Sequence, residues 1–135
     1  MAVRTLIVDD EPTARMILRR RLAVIGCDIV GEATNSYAAS EMINQVVPDL
    51  VTLVIHMPEI SGMDSYELFR KTRQVRPAVE FVLISGASYF QNRQDFMRNG
   101  AIGYFAKPID FRGLLSDLRH VFPELQPYRF PAAAL

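Results

Sequence analysis

Short apolar runs alternate with longer amphipathic segments along this chain, and this alternation limits the possible folds more than any other feature. The apolar runs predict strands at 3–8, 29–33, 50–55, 81–85 and 102–106. The segments between and after them predict helices near 12–25, 36–47, 63–74, 89–98 and 111–121. Strands that alternate with helices need right-handed crossover connections. We therefore predict an α/β fold whose parallel sheet is covered on both faces.

Local signals mark where several of these helices begin and end. Pro12 suits a first helical turn, and Gly26 suits the position just after a helix. Asn35 or Ser36 can cap the second helix, and Asp110 can cap the fifth. Helical spacing predicts apolar stripes on the first and fifth helices, formed by Ala14, Ile17, Leu18, Leu22 and Ile25 and by Leu114, Leu115, Leu118 and Val121.

The length and composition are those of one folded domain. The chain has 135 residues, of which 50% are hydrophobic and 22% charged, so it can bury a sizeable core. Fifteen basic and fifteen acidic residues give a net charge of zero, which argues against direct nucleic-acid binding. Cys27 is the only cysteine, and no apolar run approaches the ~20 residues of a membrane span. We expect a cytoplasmic protein that does not enter a membrane.

Residues that can carry chemistry follow several of the predicted strands. In a parallel sheet of this kind, ligands gather at the carboxyl ends of the strands. Asp9 and Asp10 follow the first strand, and such an acidic pair can form half of a Mg²⁺ site, because Mg²⁺ prefers oxygen ligands. Ser85 and Lys107, which end the fourth strand and follow the fifth, could hold the oxygens of a phosphoryl group. Pro108 restricts the direction in which Lys107 leaves its strand, and a cis bond is one way to do so.

These residues and their neighbours resemble the receiver domain of two-component response regulators, in order from about residue 4 to residue 122. The matching motifs are Leu6-Ile7-Val8-Asp9-Asp10-Glu11-Pro12, Pro48-Asp49-Leu50, Met57-Pro58 with Gly62, Ser85, and Gly103-Tyr104-Phe105-Ala106-Lys107-Pro108. The resemblance implies a flavodoxin-like sheet of five parallel strands in the order 2-1-3-4-5 with five helices. It places a receiver domain at 1–122, followed by a proline-containing tail or linker stub at 123–135.

The resemblance also implies a role for each site residue. In the family, an aspartate on the third strand accepts a phosphoryl group from a histidine kinase. Mg²⁺ is held by the acidic pair, here Asp9 and Asp10, by the acceptor, and by a backbone carbonyl, here that of His56. Ser85 supplies the hydroxyl and Lys107 the amine that respond to the phosphoryl group. The aromatic residue that swings inward on the fifth strand is Tyr104.

Val54 occupies the position of the phospho-acceptor, three residues before the Met-Pro pair. Its isopropyl group has no lone pair to attack phosphorus and no oxygen to bind a metal. Thr52, His56 and Asp10 are possible substitute acceptors. Thr52 lies two residues deeper in the strand, the position of His56 usually points to solvent, and Asp10 is set back to hold the metal. The aspartyl-phosphate chemistry of the family is therefore predicted to be absent, and Mg²⁺ binding is predicted to be weakened. Without an acceptor carboxylate, Lys107 is free to pair with Asp9 or Asp10.

The sequence thus predicts a signalling module, not an enzyme, that acts by protein–protein contact. The implied partners are a histidine kinase or an output protein, bound through the face made by the fourth helix, fifth strand and fifth helix. Candidate contacts on this face are Tyr89, Phe90, Tyr104 and Phe105. A homodimer is a further possibility. One alternative is an ordinary receiver that carries an engineered aspartate-to-valine substitution at Val54. Another is a flavin- or nucleotide-binding protein with the same fold.

Overall fold

A computed structural model describes residues 2–55, 57, 63–86 and 93–126. The strands are β1 (Val3–Val8), β2 (Cys27–Ala33), β3 (Leu50–Ile55), β4 (Glu80–Ser85) and β5 (Gly103–Ala106). The helices are α1 (Pro12–Val24), α2 (Ser36–Val46), α3 (Ser65–Val75), α4 (Arg93–Arg98) and α5 (Phe111–Val121). The elements alternate as the sequence predicts.

The strands form a single five-stranded parallel sheet in the order β2-β1-β3-β4-β5, which confirms the predicted topology. The order reverses at β1, because the chain adds β2 on one side of β1 and then β3 on the other. This reversal opens a crevice at the carboxyl ends of β1 and β3, where ligands of doubly wound folds usually bind.

Both faces of the sheet are buried under helices. Alternate side chains of β1 and β3, including Leu6, Val8 and Leu53, pack in a core with α2, α3 and α4. The opposite face, which includes Ile7 and Val54, packs in a second core with α1 and α5. We call the second side the α1/α5 face. Burial on both faces explains why the strands are continuous apolar runs.

Local capping signals are confirmed, with small changes in helix bounds. The Asn35 side chain accepts a hydrogen bond from the Ala38 amide at 2.8 Å, and Asp110 accepts from the amides of Arg112 and Gly113. Gly26, with a φ of 109°, follows α1 in a backbone conformation that favours glycine. α3 begins at Ser65, two residues later than predicted, because Asp64 caps it.

Two residues assigned to the helical apolar stripes are exposed. Ile17 in α1 is 41% exposed and Val121 in α5 is 42% exposed. Ile17 lies to one side of the face formed by Leu18 and Leu22, which are buried. Near the end of α5, the apolar contact comes from Leu125, which is 2% exposed and belongs to the core of the α1/α5 face.

The segment after α5 is attached to the domain as far as it is described. The Gln126 amide donates to the Ile25 carbonyl at 2.8 Å, and Arg119 Nε donates to the Leu125 carbonyl at 3.1 Å. The proposed boundary at residue 122 stays a prediction, since residues 127–135 lie outside the described part of the chain. Within the described residues, no helix combines the length and apolar character required to cross a membrane.

Candidate functional site

Asp9 lies at the carboxyl end of β1 and is fully buried. Its side chain points to the α1/α5 face, because it continues the alternation of Thr5 and Ile7. Asp9 Oδ1 accepts a hydrogen bond from the Glu11 amide at 2.9 Å, and Oδ2 accepts from Lys107 Nζ at 3.0 Å. Both carboxylate oxygens are therefore engaged within the chain.

Lys107 lies between two carboxylates, those of Asp9 and Glu11. It leaves β5 through a cis peptide bond to Pro108, and its Nζ lies 3.0 Å from both Asp9 Oδ2 and Glu11 Oε1. Partial burial alone would lower the pKa of Lys107, but hydrogen bonds to Glu11 and Asp9, together with their charges, leave that pKa raised. The site thus holds a charged ammonium between two carboxylates.

The predicted pairing of Lys107 is confirmed for Asp9, whereas Asp10 is exposed. Sequence reasoning missed Glu11, which supplies the second carboxylate. Glu11 is the residue before α1, and its side chain makes no capping hydrogen bond, so the side chain is available to reach Lys107. Its position directly after the acidic pair was the one signal that could have identified it.

Val54 lies near the end of β3 and is 3% exposed. It is the neighbour of Ile84 across the sheet and packs in the core of the α1/α5 face. The register that pairs Val8 with Leu53 places Val54 beside Asp9. The Val54 carbonyl accepts a hydrogen bond from Ser65 Oγ at 2.9 Å, so its backbone is also engaged. The side chain next to the buried carboxylate is hydrocarbon.

Ser85 and Tyr104 are both buried on neighbouring strands. Ser85 ends β4 and is 1% exposed, and its carbonyl accepts from the Lys107 amide at 2.8 Å. Tyr104, on β5, is 7% exposed, with its ring 6.3 Å from the ring of Phe96 and 6.0 Å from the Arg93 guanidinium. The Tyr104 side chain therefore points inward.

The three substitute acceptors suggested by the sequence differ in how accessible the structure leaves their side chains. Thr52 is 1% exposed and lies two residues deeper in β3 than Val54. Among the described residues, its Oγ1 is the one buried side-chain polar atom without a hydrogen-bond partner. Asp10 is exposed, and His56 lies outside the described residues.

The described side chains do not fit a Mg²⁺ ion held in the way the sequence predicts. Within residues 2–55, 57, 63–86 and 93–126, no group of three or more histidine, cysteine, aspartate or glutamate side chains could hold a metal. Both oxygens of Asp9 are engaged, and Val54 has no side-chain oxygen. The predicted ligand carbonyl of His56 lies outside the described residues.

The predicted docking face is described only in part. Tyr89 and Phe90 lie outside the described residues. Phe105 is half-buried and packs in the core of the α1/α5 face, and Tyr104 points inward. Met97 of α4 is 39% exposed. The described part of this face therefore exposes fewer aromatic side chains than the sequence alone would suggest.

A doubly wound sheet in the order 2-1-3-4-5, with a buried carboxylate, a lysine and a serine at its carboxyl edge, defines the class of flavodoxin-like α/β domains that carry a polar site at that edge. Residues 5–119 match the family described as the response regulator receiver domain, and the chain belongs to that family. It is thus a receiver domain of two-component signalling, and this membership favours the receiver interpretation over the flavin- or nucleotide-binding alternative.

Several known proteins are similar to this chain. The chemotaxis protein CheY of Thermotoga maritima is 32% identical over 121 residues, which cover 90% of this chain and 98% of that protein. The uncharacterized transcriptional regulatory protein YesN of Bacillus subtilis is 32% identical over 128 residues, 91% of this chain but only 33% of that protein. Among solved structures, that of a CheX–CheY–BeF3–Mg complex from Borrelia burgdorferi gives a TM-score of 0.79 at 25% identity and covers 89% of both chains.

Proposed function

We propose that this chain is a receiver-type signalling module that takes no phosphoryl group at Val54 and acts through protein–protein contacts. The observation that carries the proposal is the buried isopropyl group of Val54 beside Asp9, at the position where the family resemblance places the acceptor. An aspartyl phosphate forms when a carboxylate oxygen attacks phosphorus, and valine has no such atom. Thr52 is too deeply buried to replace it.

The ion pairs of Lys107 support a site that is neutralised from within. Without an acceptor carboxylate at position 54, Lys107 loses one anionic partner that the family site would offer it. Here the ammonium contacts Asp9 and Glu11 at 3.0 Å each. A buried carboxylate such as Asp9 needs a compensating charge, which Lys107 supplies without a metal ion. Mg²⁺ binding is accordingly proposed to be weak, with Asp10 as the carboxylate still open to solvent.

The inward position of Tyr104 supports a conformation that does not depend on phosphorylation. In the family, this aromatic residue turns inward in response to the phosphoryl group. In this chain it is already inward, against Phe96 and beneath the Arg93 guanidinium. A ligand shifts such an equilibrium only if it binds the two states differently. A receiver that cannot take the phosphoryl group would present the same surface to its partner at all times.

The proposed partners are a histidine kinase or an output protein that contacts α4, β5 and α5, with a homodimer as a further arrangement. We propose no enzymatic activity and no direct nucleic-acid contact, and the net charge of zero supports the latter. The cytoplasm is the proposed compartment. The chain spans only a third of the YesN relative, so the activity of any longer protein is a separate matter.

The direct test is phosphorylation by acetyl phosphate in Mg²⁺, followed by intact-mass measurement of the wild-type protein and of Val54→Asp. We expect the wild-type mass to remain unchanged and the variant to gain the mass of one phosphoryl group. A gain of that mass by the wild-type protein would overturn the proposal. Affinity capture from the source cell with both proteins would then compare the partners that each retains.

A second candidate is an ordinary phospho-accepting receiver in which Val54 replaces an original aspartate. The retention of Asp9, Ser85 and Lys107 around the position favours it, because a site without phosphorylation has less need of them. The two candidates predict the same behaviour for the protein in hand. Sequencing the source locus distinguishes them, since only the second predicts an aspartate codon at position 54.

A further inference from the structure

A groove lies on the α1/α5 face, between α1 and the segment that joins β5 to α5. Its volume is about 480 Å³, and it is lined by Asp9, by one side of α1 and by residues 107–112. Small-molecule sites in proteins are commonly of this size. The groove opens beside Lys107 but extends well beyond its carboxylate partners, so most of its wall is not used by the site described above. We call it the α1/α5 groove.

The wall of this groove is largely apolar. Ala14, Ile17 and Leu18 form the α1 side, and Pro108, Ile109 and Phe111 form the opposite side. Ile17 is 41% exposed, although it is a large aliphatic residue. A single exposed isoleucine is ordinary, but here it shares a concave wall with other apolar side chains. An apolar group placed in the groove would remove this surface from water.

The charged groups of the groove favour an anion over a cation. Its two carboxylates already have partners, since Asp9 accepts from Lys107 and the Glu11 amide, and Asp110 accepts from the amides of Arg112 and Gly113. The guanidinium of Arg21 lies 5.0 Å from the centre of the Phe111 ring. The Arg112 side chain is exposed and forms no ion pair with any residue of the described part of the chain.

From these features we propose that the α1/α5 groove binds a small organic carboxylate with an apolar body. The apolar body would lie against Ile17, Ile109 and Phe111, and the carboxylate would be paired with the guanidinium of Arg112. Guanidinium groups bind carboxylates through two parallel hydrogen bonds, which gives them an advantage over uncharged amides of the same shape. This binding does not depend on the loss of phosphorylation at Val54, so the two proposals stand or fall separately.

The test is a titration of the ¹⁵N-labelled protein, followed by amide chemical shifts, with indole-3-acetate, phenylacetate and octanoate. Each carboxylate is compared with its own amide, which keeps the apolar body and removes the charge. We expect at least one carboxylate to shift the amides of Ile17, Ile109 and Phe111, with an affinity at least about tenfold above that of its amide. No shift with any of the three, or equal affinity for acid and amide, would overturn the proposal.

Two pairs of variants locate the binding. Ile17→Glu and Arg112→Gln are expected to weaken binding by about tenfold or more. Their controls are Val24→Glu, at a 60% exposed position of the same helix, and Arg20→Gln, since neither residue lines the groove. Controls that weaken binding as much as the test variants would contradict the assignment. Shifts of the same amides that grow with protein concentration alone would point to a second copy of the chain in the groove and would also contradict it.

Discussion

The replacement Val54→Asp tests most directly how the buried site is stabilised. Val54 is 3% exposed and packs among aliphatic side chains of the α1/α5 face, beside the carboxylate of Asp9. Burial of a valine side chain contributes about 1.5–3 kcal/mol, and an aspartate loses most of it. Desolvation of the new carboxylate and its repulsion by Asp9 add about 1–2 kcal/mol, even with Lys107 nearby. We expect the metal-free variant to be less stable than the wild-type protein by roughly 2.5–5 kcal/mol.

The matched control is Val54→Asn, which has the shape of aspartate without its charge. It should lose the apolar burial but not the electrostatic part, so it should lie between the wild-type protein and Val54→Asp. Urea unfolding followed by circular dichroism, in buffer with a chelator, measures the three free energies of unfolding. Addition of Mg²⁺ should then stabilise Val54→Asp alone, by about 2.7 kcal/mol at a concentration 100 times its dissociation constant.

Three results would refute this reasoning. The first is a Val54→Asp protein as stable as the wild-type protein without metal, which would mean that the carboxylate is neither desolvated nor repelled. The second is equal stability of the aspartate and asparagine variants, which would remove the electrostatic part. The third is equal stabilisation of all three proteins by Mg²⁺, which would locate the ion away from position 54.

Three further predictions concern groups whose environments are equally well defined. Thr52→Val should raise the free energy of unfolding by about 1 kcal/mol, because it removes a buried hydroxyl that has no partner among the described residues. The control Thr5→Val should lower the free energy of unfolding, because the Thr5 hydroxyl donates to the Val3 carbonyl. Urea unfolding measures both changes. Because the pKa of Lys107 is raised, its ion pairs contribute fully to the free energy of unfolding below the ordinary lysine pKa of about 10.4. That contribution is lost as the pH rises through the raised pKa. The stability difference between the wild-type protein and Lys107→Met should therefore shrink at strongly alkaline pH, and a difference that grows there would contradict the ion pairs. Leu125→Ala should cost about 2–4 kcal/mol in thermal unfolding, whereas the same change at the 42% exposed Val121 should cost far less; equal effects would show that Leu125 is not part of the core.

Much of the fold could be predicted from the sequence because its signals are local. A run of apolar residues indicates a buried strand wherever it occurs, and the caps at Asn35 and Asp110 bond to amides two or three residues away. The residue types at the strand ends, including the valine at position 54, follow directly from the order of amino acids. Their roles came from the resemblance to receiver domains and could not have come from periodicity alone.

The tertiary structure decided which of these residues meet. Lys107 contacts Asp9 and Glu11, which lie 98 and 96 residues away, and it does not pair with Asp10. That choice depends on the face to which each carboxylate points and on the order of the strands between them. The inward position of Tyr104 likewise depends on packing against Phe96, and the burial of Leu125 depends on its place in the core of the α1/α5 face. The sequence by itself determined the strands, the helices and the chemistry available at their ends. Which groups became partners depended on contacts between distant segments, because those contacts form only once the sheet is assembled.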